Sequence, residues 1–135
     1  MSECVVFDTS VLIDHLRTGR HALRMGTLNA LVRNSSVVLA ELRRGASSPA
    51  DQHVLRTIEK NYPILTPTRN HWLESGLLLA RMRKEKGFEP AKLRDLHFDV
   101  LIALTARNYG AKLITSNRAD FELIREYRDF NLEVW

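Results

Sequence analysis

Hydrophobic residues in this chain form short runs that alternate with longer stretches of helical spacing. The short runs predict buried strands over residues 4–7, 36–39, 63–65, 112–116 and 132–135. The longer stretches predict helices over residues 9–18, 21–33, 41–45, 49–60, 68–86 and 95–109, with a short last helix after Asp120. Residues 87–94 are predicted to form a loop. Strands and helices therefore alternate along almost the whole chain.

This alternation is typical of βαβ units and predicts an α/β fold. We expect one domain over residues 1–135, because 135 residues leave no room for a second core. The domain should have a central parallel sheet of four to five strands with helices on both faces. The helix over 95–109 is apolar on nearly all sides and should be central and buried. Ligands in such folds bind beyond the carboxyl ends of the strands, where Asp8 and Thr115 are predicted to lie.

Composition excludes several classes of protein. Hydrophobic residues make up 44% of the chain and charged residues 27%, as in an ordinary globular domain. The apolar stretch 100–106 is far too short to span a bilayer, so we expect no membrane association. Asp8 and Asp14 interrupt the only apolar stretch near the N-terminus, which argues against a secretory signal. Cys4 is the sole cysteine, so no internal disulfide can form and a cytoplasmic location is expected.

Four acidic residues occupy positions where a carboxylate is costly. Asp8 and Glu41 each end an apolar run, Asp99 interrupts one, and Asp120 follows one after a short turn. A buried carboxylate destabilises a fold unless it is paired or binds a metal. Because all four lie at the boundaries of core elements, they predict one shared site for a hard divalent cation, Mg²⁺ or Mn²⁺.

Each acid also has a purely structural reading. Asp8 and Asp120 could cap helices, and Glu41 could be a first-turn acid favoured by the helix dipole. Asp99 is harder to explain in this way, because its neighbour at helical spacing, Asp95, is also acidic. Asp95 itself is interpreted as a helix N-cap. The turn at residues 115–117 could be only a turn, although its hydroxyl and amide groups could also orient the carboxylates.

The net charge of +4 and the pI of about 9.6 point to an anionic partner. If four acids gather in one place, the rest of the surface is more basic than the total suggests. Arg43, Arg44, Arg81 and Lys84 lie in basic clusters that would suit a phosphate backbone. Solvated helix faces are the alternative reading of these clusters. The chain has no zinc-binding cluster, Gly-rich phosphate loop or G-x-S-x-G elbow.

Four segments together resemble the motifs of PIN-domain nucleases. They are FDTSVLID at 7–14, SVVLAELRRG at 36–45, DVLIALTA at 99–106 and LITSNRADF at 113–121. Their order and spacing cover nearly the whole chain. Within that superfamily, the length and the E-L-x-x-G segment are most similar to VapC-type toxins of toxin–antitoxin pairs.

The resemblance implies a Mg²⁺- or Mn²⁺-dependent endoribonuclease that hydrolyses RNA. Asp8, Glu41, Asp99 and Asp120 would be its catalytic, metal-binding acids, with Thr115 and Asn117 in support. In some members the fourth acid falls where Asn117 stands, so that role stays shared between Asn117 and Asp120. The resemblance also implies a homodimer and a cognate antitoxin, which typically wraps the toxin and occludes the acidic pocket, often with a basic side chain.

Two other functions are compatible with parts of the pattern. The first is a catalytically silent nucleic-acid-binding module that acts with a DNA-binding partner. The presence of all four acids favours the nuclease over that module. The second is a phosphotransfer receiver domain, but the acid pair expected after its first strand is absent, and the strand over 63–65 leads to Thr66 and Pro67 instead of an acceptor aspartate.

Overall fold

The computed structural model describes residues 3–135, so positions 1–2 of the predicted domain lie outside it. Five strands form the sheet: β1 (Glu3–Phe7), β2 (Ala30–Ser35), β3 (Ile64–Leu65), β4 (Lys112–Thr115) and β5 (Leu132–Val134). The helices are α1 (Thr9–Thr18), α2 (Ala22–Thr27), α3 (Ser36–Gly45), α4 (Pro49–Asn61), α5 (Arg69–Lys86), α6 (Pro90–Asn108) and α7 (Arg118–Tyr127). The predicted α/β fold is confirmed.

The strands are all parallel and run in the order β3-β2-β1-β4-β5. The chain builds outward from β1 through β2 and β3, and then returns to the other side of β1 with β4. The strand order therefore reverses between β1 and β4, which creates a crevice at their carboxyl ends. The backbone N–H of Asp8 donates to the carbonyl of Ile114 at 2.8 Å, so the ends of these two strands are held together.

Helices cover both faces of the sheet. Side chains alternate along β1, because successive residues of a strand point to opposite faces. Val6 belongs to the larger core cluster, together with α6, whereas Val5 and Phe7 belong to a smaller one with Val11 of α1. Within α6, residues 100–104 are at most 3% exposed. The helix predicted to be central is therefore central, and it carries Asp99 into the core. None of the described helices is both long and apolar enough to cross a bilayer.

Two predicted elements are wrong. The second predicted helix ends at Thr27, and the chain then forms β2. Residues 36–39, predicted as a strand, form the first turns of α3. The hydroxyl of Ser35 starts this helix by accepting a hydrogen bond from the backbone N–H of Val38 at 3.3 Å. The apolar residues of this turn are all buried, so the turn shows no alternation of polar and apolar sides. A short apolar run of this kind fits a buried strand equally well.

The starts of the last two helices also differ from the prediction. Helix α6 begins at Pro90, inside the predicted loop, where proline is well suited to a first helical position. Asp95 therefore lies within the helix and is exposed, so its interpretation as the N-cap is wrong. Helix α7 begins at Arg118, so Asp120 lies in its first turn and does not precede it.

Candidate active site

The four predicted acids approach one another at the carboxyl edge of the sheet. Asp8 directly follows β1, Glu41 lies in α3, Asp99 in the middle of α6, and Asp120 in the first turn of α7. The charges of Asp8, Glu41 and Asp120 all act on the carboxyl of Asp99. We call these four residues the acidic pocket. Segments distant in sequence thus meet at the point where the strand order reverses.

Asp8 is fixed by hydroxyl groups from two parts of the chain. The residue is 3% exposed. Its Oδ2 accepts hydrogen bonds from the hydroxyls of Ser10 at 2.7 Å and Thr115 at 2.8 Å. The hydroxyl of Thr115 also accepts from the backbone N–H of Asn117 at 2.9 Å, which ties the carboxylate to the turn after β4. The other oxygen, Oδ1, accepts no hydrogen bond from residues 3–135.

Glu41 is held in a similar way. Its Oε1 accepts a hydrogen bond from the Thr9 hydroxyl at 2.8 Å, and no described residue donates to its Oε2. Burial raises the pKa of Glu41, the hydrogen bond from Thr9 lowers it, and the nearby charge of Asp8 raises it again. The net result is a raised pKa. The carboxylate is thus more costly to ionise than one in water.

Asp99 is the most perturbed acid in the chain. Burial, followed by the charges of Asp8, Glu41 and Asp120, raises its pKa from 3.8 to about 8, against a small opposing effect of Lys92. In the described part of the chain, its carboxyl group accepts no hydrogen bond. The ionised form of a carboxyl that is largely buried among like charges, without a hydrogen-bond donor, is stabilised by a bound cation.

Asp120 is in the opposite situation. Its Oδ1 accepts from the Lys92 ammonium at 2.9 Å, and its Oδ2 accepts from the Asn117 side-chain amide at 3.0 Å. Burial raises the pKa of Asp120, but these two hydrogen bonds and the charge of Lys92 together outweigh it, and the pKa falls below its ordinary value. The side chain of Asn117 also caps α7 by accepting from the backbone N–H of Asp120 at 3.4 Å. Asn117 and Asp120 are therefore hydrogen-bonded to each other at the start of α7.

Sequence reasoning missed three side chains at this site. Thr9 and Ser10 are two of them: they begin α1 directly after Asp8, which occupies the N-cap position, and the hydroxyl of each binds a carboxylate. Their presence in the motif at 7–14 was the available signal. Lys92 lies in the predicted loop over 87–94, and nothing in the sequence indicates its pairing with Asp120, because the pair depends on the packing of α6 against α7.

The four predicted RNA-binding residues have different surroundings. Arg43 makes a two-pronged ion pair with Glu59, at 2.8 and 2.7 Å. The charge of Arg44 lowers the pKa of Glu41, so this arginine lies near the acidic pocket. Arg81 packs over the ring of Tyr127, 5.0 Å from its centroid, in the last turn of α7. Lys84 is an exposed residue of α5, the helix that also carries Arg81, and it makes no ion pair with a described residue.

The donor set suits a hard divalent cation in its chemistry. Asp8, Glu41 and Asp99 together present four carboxylate oxygens that accept no hydrogen bond from residues 3–135, and Mg²⁺ and Mn²⁺ favour such oxygens. Among residues 3–135, no group of three or more His, Cys, Asp or Glu side chains is already arranged to hold a metal ion. The acids repel one another, so a bound cation would have to draw them closer.

Comparison with known proteins agrees with this fold. A family model described as the PIN domain matches residues 5–127. No curated protein sequence matches the chain.

Several solved structures resemble the chain along its full length. One is VapBC2 from Rickettsia felis bound to a DNA fragment from its promoter, with a TM-score of 0.71, 23% identity, and 98% of each chain covered. Another is DNA-bound VapBC from Salmonella typhimurium, with a TM-score of 0.70, 24% identity, and coverage of 100% of this chain and 99% of that chain. A third is VapBC-1 from nontypeable Haemophilus influenzae, with a TM-score of 0.70, 22% identity, and 98% of each chain covered. At these identities the likeness establishes the fold.

Proposed function

This chain belongs to the PIN-domain family, and we propose that it is an endoribonuclease, the toxin of a toxin–antitoxin pair, that hydrolyses RNA with the help of Mg²⁺ or Mn²⁺. The observation that carries the proposal is the state of Asp99, a largely buried acid that three other acids surround and that no described residue neutralises by a hydrogen bond. A structural carboxylate would have a donor. A carboxylate that lacks a hydrogen-bond donor fits a site that binds a cation in its active state.

Asp8, Glu41 and Asp99 would hold the ion, with Asp120 as the fourth acid of the pocket. When bound, such an ion activates a water molecule and neutralises charge that develops on the phosphate and on the leaving oxygen. The hydroxyls of Ser10 and Thr115 keep Asp8 in one orientation. This preorganisation means that Asp8 needs little rearrangement during the reaction.

The chain's own acid–base chemistry fits hydrolysis. A carboxylate of the pocket accepts the proton of the attacking water, whose oxygen adds to phosphorus opposite the leaving oxygen. The new P–O bond replaces the bond to the leaving oxygen, which takes a proton from solvent. The raised pKa of Asp99 indicates that a carboxylate in this environment readily accepts a proton.

The proposal is tested by incubating total cellular RNA with the protein in Mg²⁺, in Mn²⁺ and in EDTA. Wild type should cleave with either metal and not in EDTA, and Asp99→Asn should not cleave at all. Asp95→Asn is the matched control, since Asp95 is an exposed acid one turn earlier on α6, and it should cleave as wild type does. Equal cleavage by Asp99→Asn and Asp95→Asn would contradict the proposal.

An antitoxin partner is supported by an apolar groove on the side of α1 and β2. A cavity of about 290 Å³ lies there, and its walls include Leu12, Leu16, Met25 and Tyr62. Leu16 and Tyr62 of this groove are 48% and 41% exposed, and contiguous exposed apolar surface marks protein–protein interaction sites. The solved structures of this fold include a toxin–antitoxin complex from Klebsiella pneumoniae. We expect the groove to bind an apolar helix of the antitoxin. Leu16→Glu should then abolish inhibition by a co-expressed antitoxin but leave RNA cleavage intact.

A homodimer is supported by apolar residues on the outer side of α5. Trp72, Leu73 and Leu77 are 49%, 64% and 68% exposed. Light scattering after gel filtration should give about twice the chain mass of 15.5 kDa for wild type. Leu73→Glu should give the monomer mass. A monomeric wild type at micromolar concentration would contradict the homodimer.

A further inference from the structure

Asp120 differs from the other acids of the pocket in how its oxygens are used. Asp8 and Glu41 each keep one oxygen that accepts no hydrogen bond from the described residues, and Asp99 keeps both. Both oxygens of Asp120 are taken, by Lys92 at 2.9 Å and by Asn117 at 3.0 Å. A metal ion bound to Asp120 would also lie close to the Lys92 ammonium, whose positive charge would repel it.

Lys92 is the only lysine that makes an ion pair with an acid of the pocket, among residues 3–135. It lies in the first turn of α6, seven residues before Asp99, so the two residues are two turns apart on one side of the helix. An ammonium group has three donors, and the bond to Asp120 uses one of them. The side chain is 39% exposed, so the remaining donors can reach solvent or a ligand.

We propose that Asp120 is a positioning residue that holds Lys92 at the rim of the acidic pocket, and that the Lys92 ammonium binds a backbone phosphate of the RNA. This inference rests on the proposed function, because RNA is the polyanion that the site would receive. It assigns a role to Lys92 and separates Asp120 from the three acids that would bind the cation directly.

Electrostatics explains why such a cation is needed. Four carboxylates repel a polyanion, and a fixed positive charge at the rim offsets that repulsion where the backbone must enter. A free lysine would lose side-chain entropy on binding a phosphate. The ion pair with Asp120 already restricts Lys92, so less entropy remains to be lost when RNA binds. Lysine is a suitable phosphate ligand because it acts as a point charge without a required orientation.

Salt dependence of RNA binding tests the role of Lys92 independently of cleavage. Affinity for a single-stranded RNA oligonucleotide is measured in EDTA between 50 and 200 mM NaCl. If Lys92 contacts one phosphate, Lys92→Met should reduce the slope of log affinity against log salt by about 0.7, so that the salt-induced loss of affinity is about threefold smaller. Lys92→Arg should restore the wild-type slope.

Lys112→Met is the matched control. Lys112 is also ion-paired, with Glu3 and Glu133, but it begins β4 at the opposite end of that strand from Thr115. Lys112→Met changes the net charge by the same amount as Lys92→Met, and it should leave the salt slope unchanged. Thermal unfolding of each variant confirms that it is folded, and Lys92→Gln replaces Lys92→Met if the latter is not. A slope that responds equally to both lysines, or to neither, overturns the inference.

The role of Asp120 is tested by calorimetry and by a double-mutant cycle. Asp120→Asn should leave Mg²⁺ affinity within a few-fold of wild type, whereas Asp8→Asn should abolish Mg²⁺ binding. If Asp120 acts through Lys92, then Asp120→Asn should change the KM for RNA in wild type and have no effect in the Lys92→Met background. A loss of Mg²⁺ affinity as large as that of Asp8→Asn would make Asp120 a metal ligand and overturn its positioning role.

Failure of this inference is distinguishable from failure of the proposed function. A wild type that never cleaves RNA, but whose salt slope falls with Lys92→Met, would refute the nuclease and leave the Lys92 contact standing. If wild type cleaves RNA in Mg²⁺ but the salt slope does not change with Lys92→Met, the proposed nuclease stands and the Lys92 contact is refuted.

Discussion

Replacing Asp99 by asparagine should stabilise the metal-free protein. In the unfolded chain this carboxyl ionises with a pKa of 3.8, whereas in the folded chain burial and the neighbouring acids raise the pKa to about 8. As the pH rises from 3.8 to about 8, the unfolded state therefore loses a proton that the folded state keeps. Folding stability falls across this range because of Asp99. Asparagine has nearly the same shape and no charge, so the variant escapes this penalty.

The size of the effect follows from the two pKa values. At about 1.36 kcal/mol per pH unit, the interval from 3.8 to 7 corresponds to a penalty of about 4 kcal/mol for a fully enclosed site. Asp99 is partly exposed, and water screens its interactions, which reduces the expected gain to about 1–2 kcal/mol. For a domain of this length, that gain should raise the Tm by about 4–8 °C at pH 7.

Thermal unfolding in EDTA from pH 4 to pH 8 measures this difference. The Tm of Asp99→Asn should match that of wild type near pH 4 and exceed it increasingly toward pH 8. Asp95→Asn, an exposed acid on the same helix, should follow wild type throughout. A lower Tm for Asp99→Asn at pH 7, or a difference that does not change with pH, would refute the reasoning, because Asp99 would then have a stabilising partner.

Three further substitutions probe the supporting residues. Asn117→Ala removes the cap of α7 and should lower stability by about 1 kcal/mol, as seen in the midpoint of urea unfolding. Thr115→Val removes a buried hydroxyl bound to Asp8 and should cost about 1–3 kcal/mol and reduce RNA cleavage, whereas an unchanged cleavage rate would mean that Asp8 needs no such support. Arg44→Ala removes a cation near Glu41 and should reduce the salt slope of RNA binding by about 0.7, and an unaltered slope would place the RNA elsewhere.

The fold was predictable because most of its elements have unambiguous local signals. The run after Cys4 is apolar and ends at Asp8, and Gly19 ends α1 with a φ of +68°, a conformation that glycine adopts at no cost. The exception lies between residues 27 and 45. There β2 contains polar residues, and the hydrophobic pattern predicts a helix. Helix α3 begins with a buried apolar turn, and the pattern predicts a strand.

The acidic pocket was predictable for a different reason. A carboxylate that interrupts an apolar run, as Asp99 does, is visible in the sequence because its burial is costly. The hydrogen-bond donors that surround the pocket have no comparable sequence pattern. Thr9 and Lys92 look like any surface threonine or lysine, and only the packing of α1 against α3 and of α6 against α7 reveals their partners.

One titration tests the central claim that a cation bound by these acids enables RNA cleavage. Mg²⁺ binding is measured by calorimetry, and the rate of RNA cleavage is measured over the same Mg²⁺ concentrations, for wild type, Asp99→Asn and Asp95→Asn. We expect wild type and Asp95→Asn to reach half-saturation and half-maximal rate at the same Mg²⁺ concentration, and Asp99→Asn to show neither binding nor cleavage. Cleavage by Asp99→Asn at the wild-type rate, or cleavage that proceeds without Mg²⁺ binding, would contradict the account.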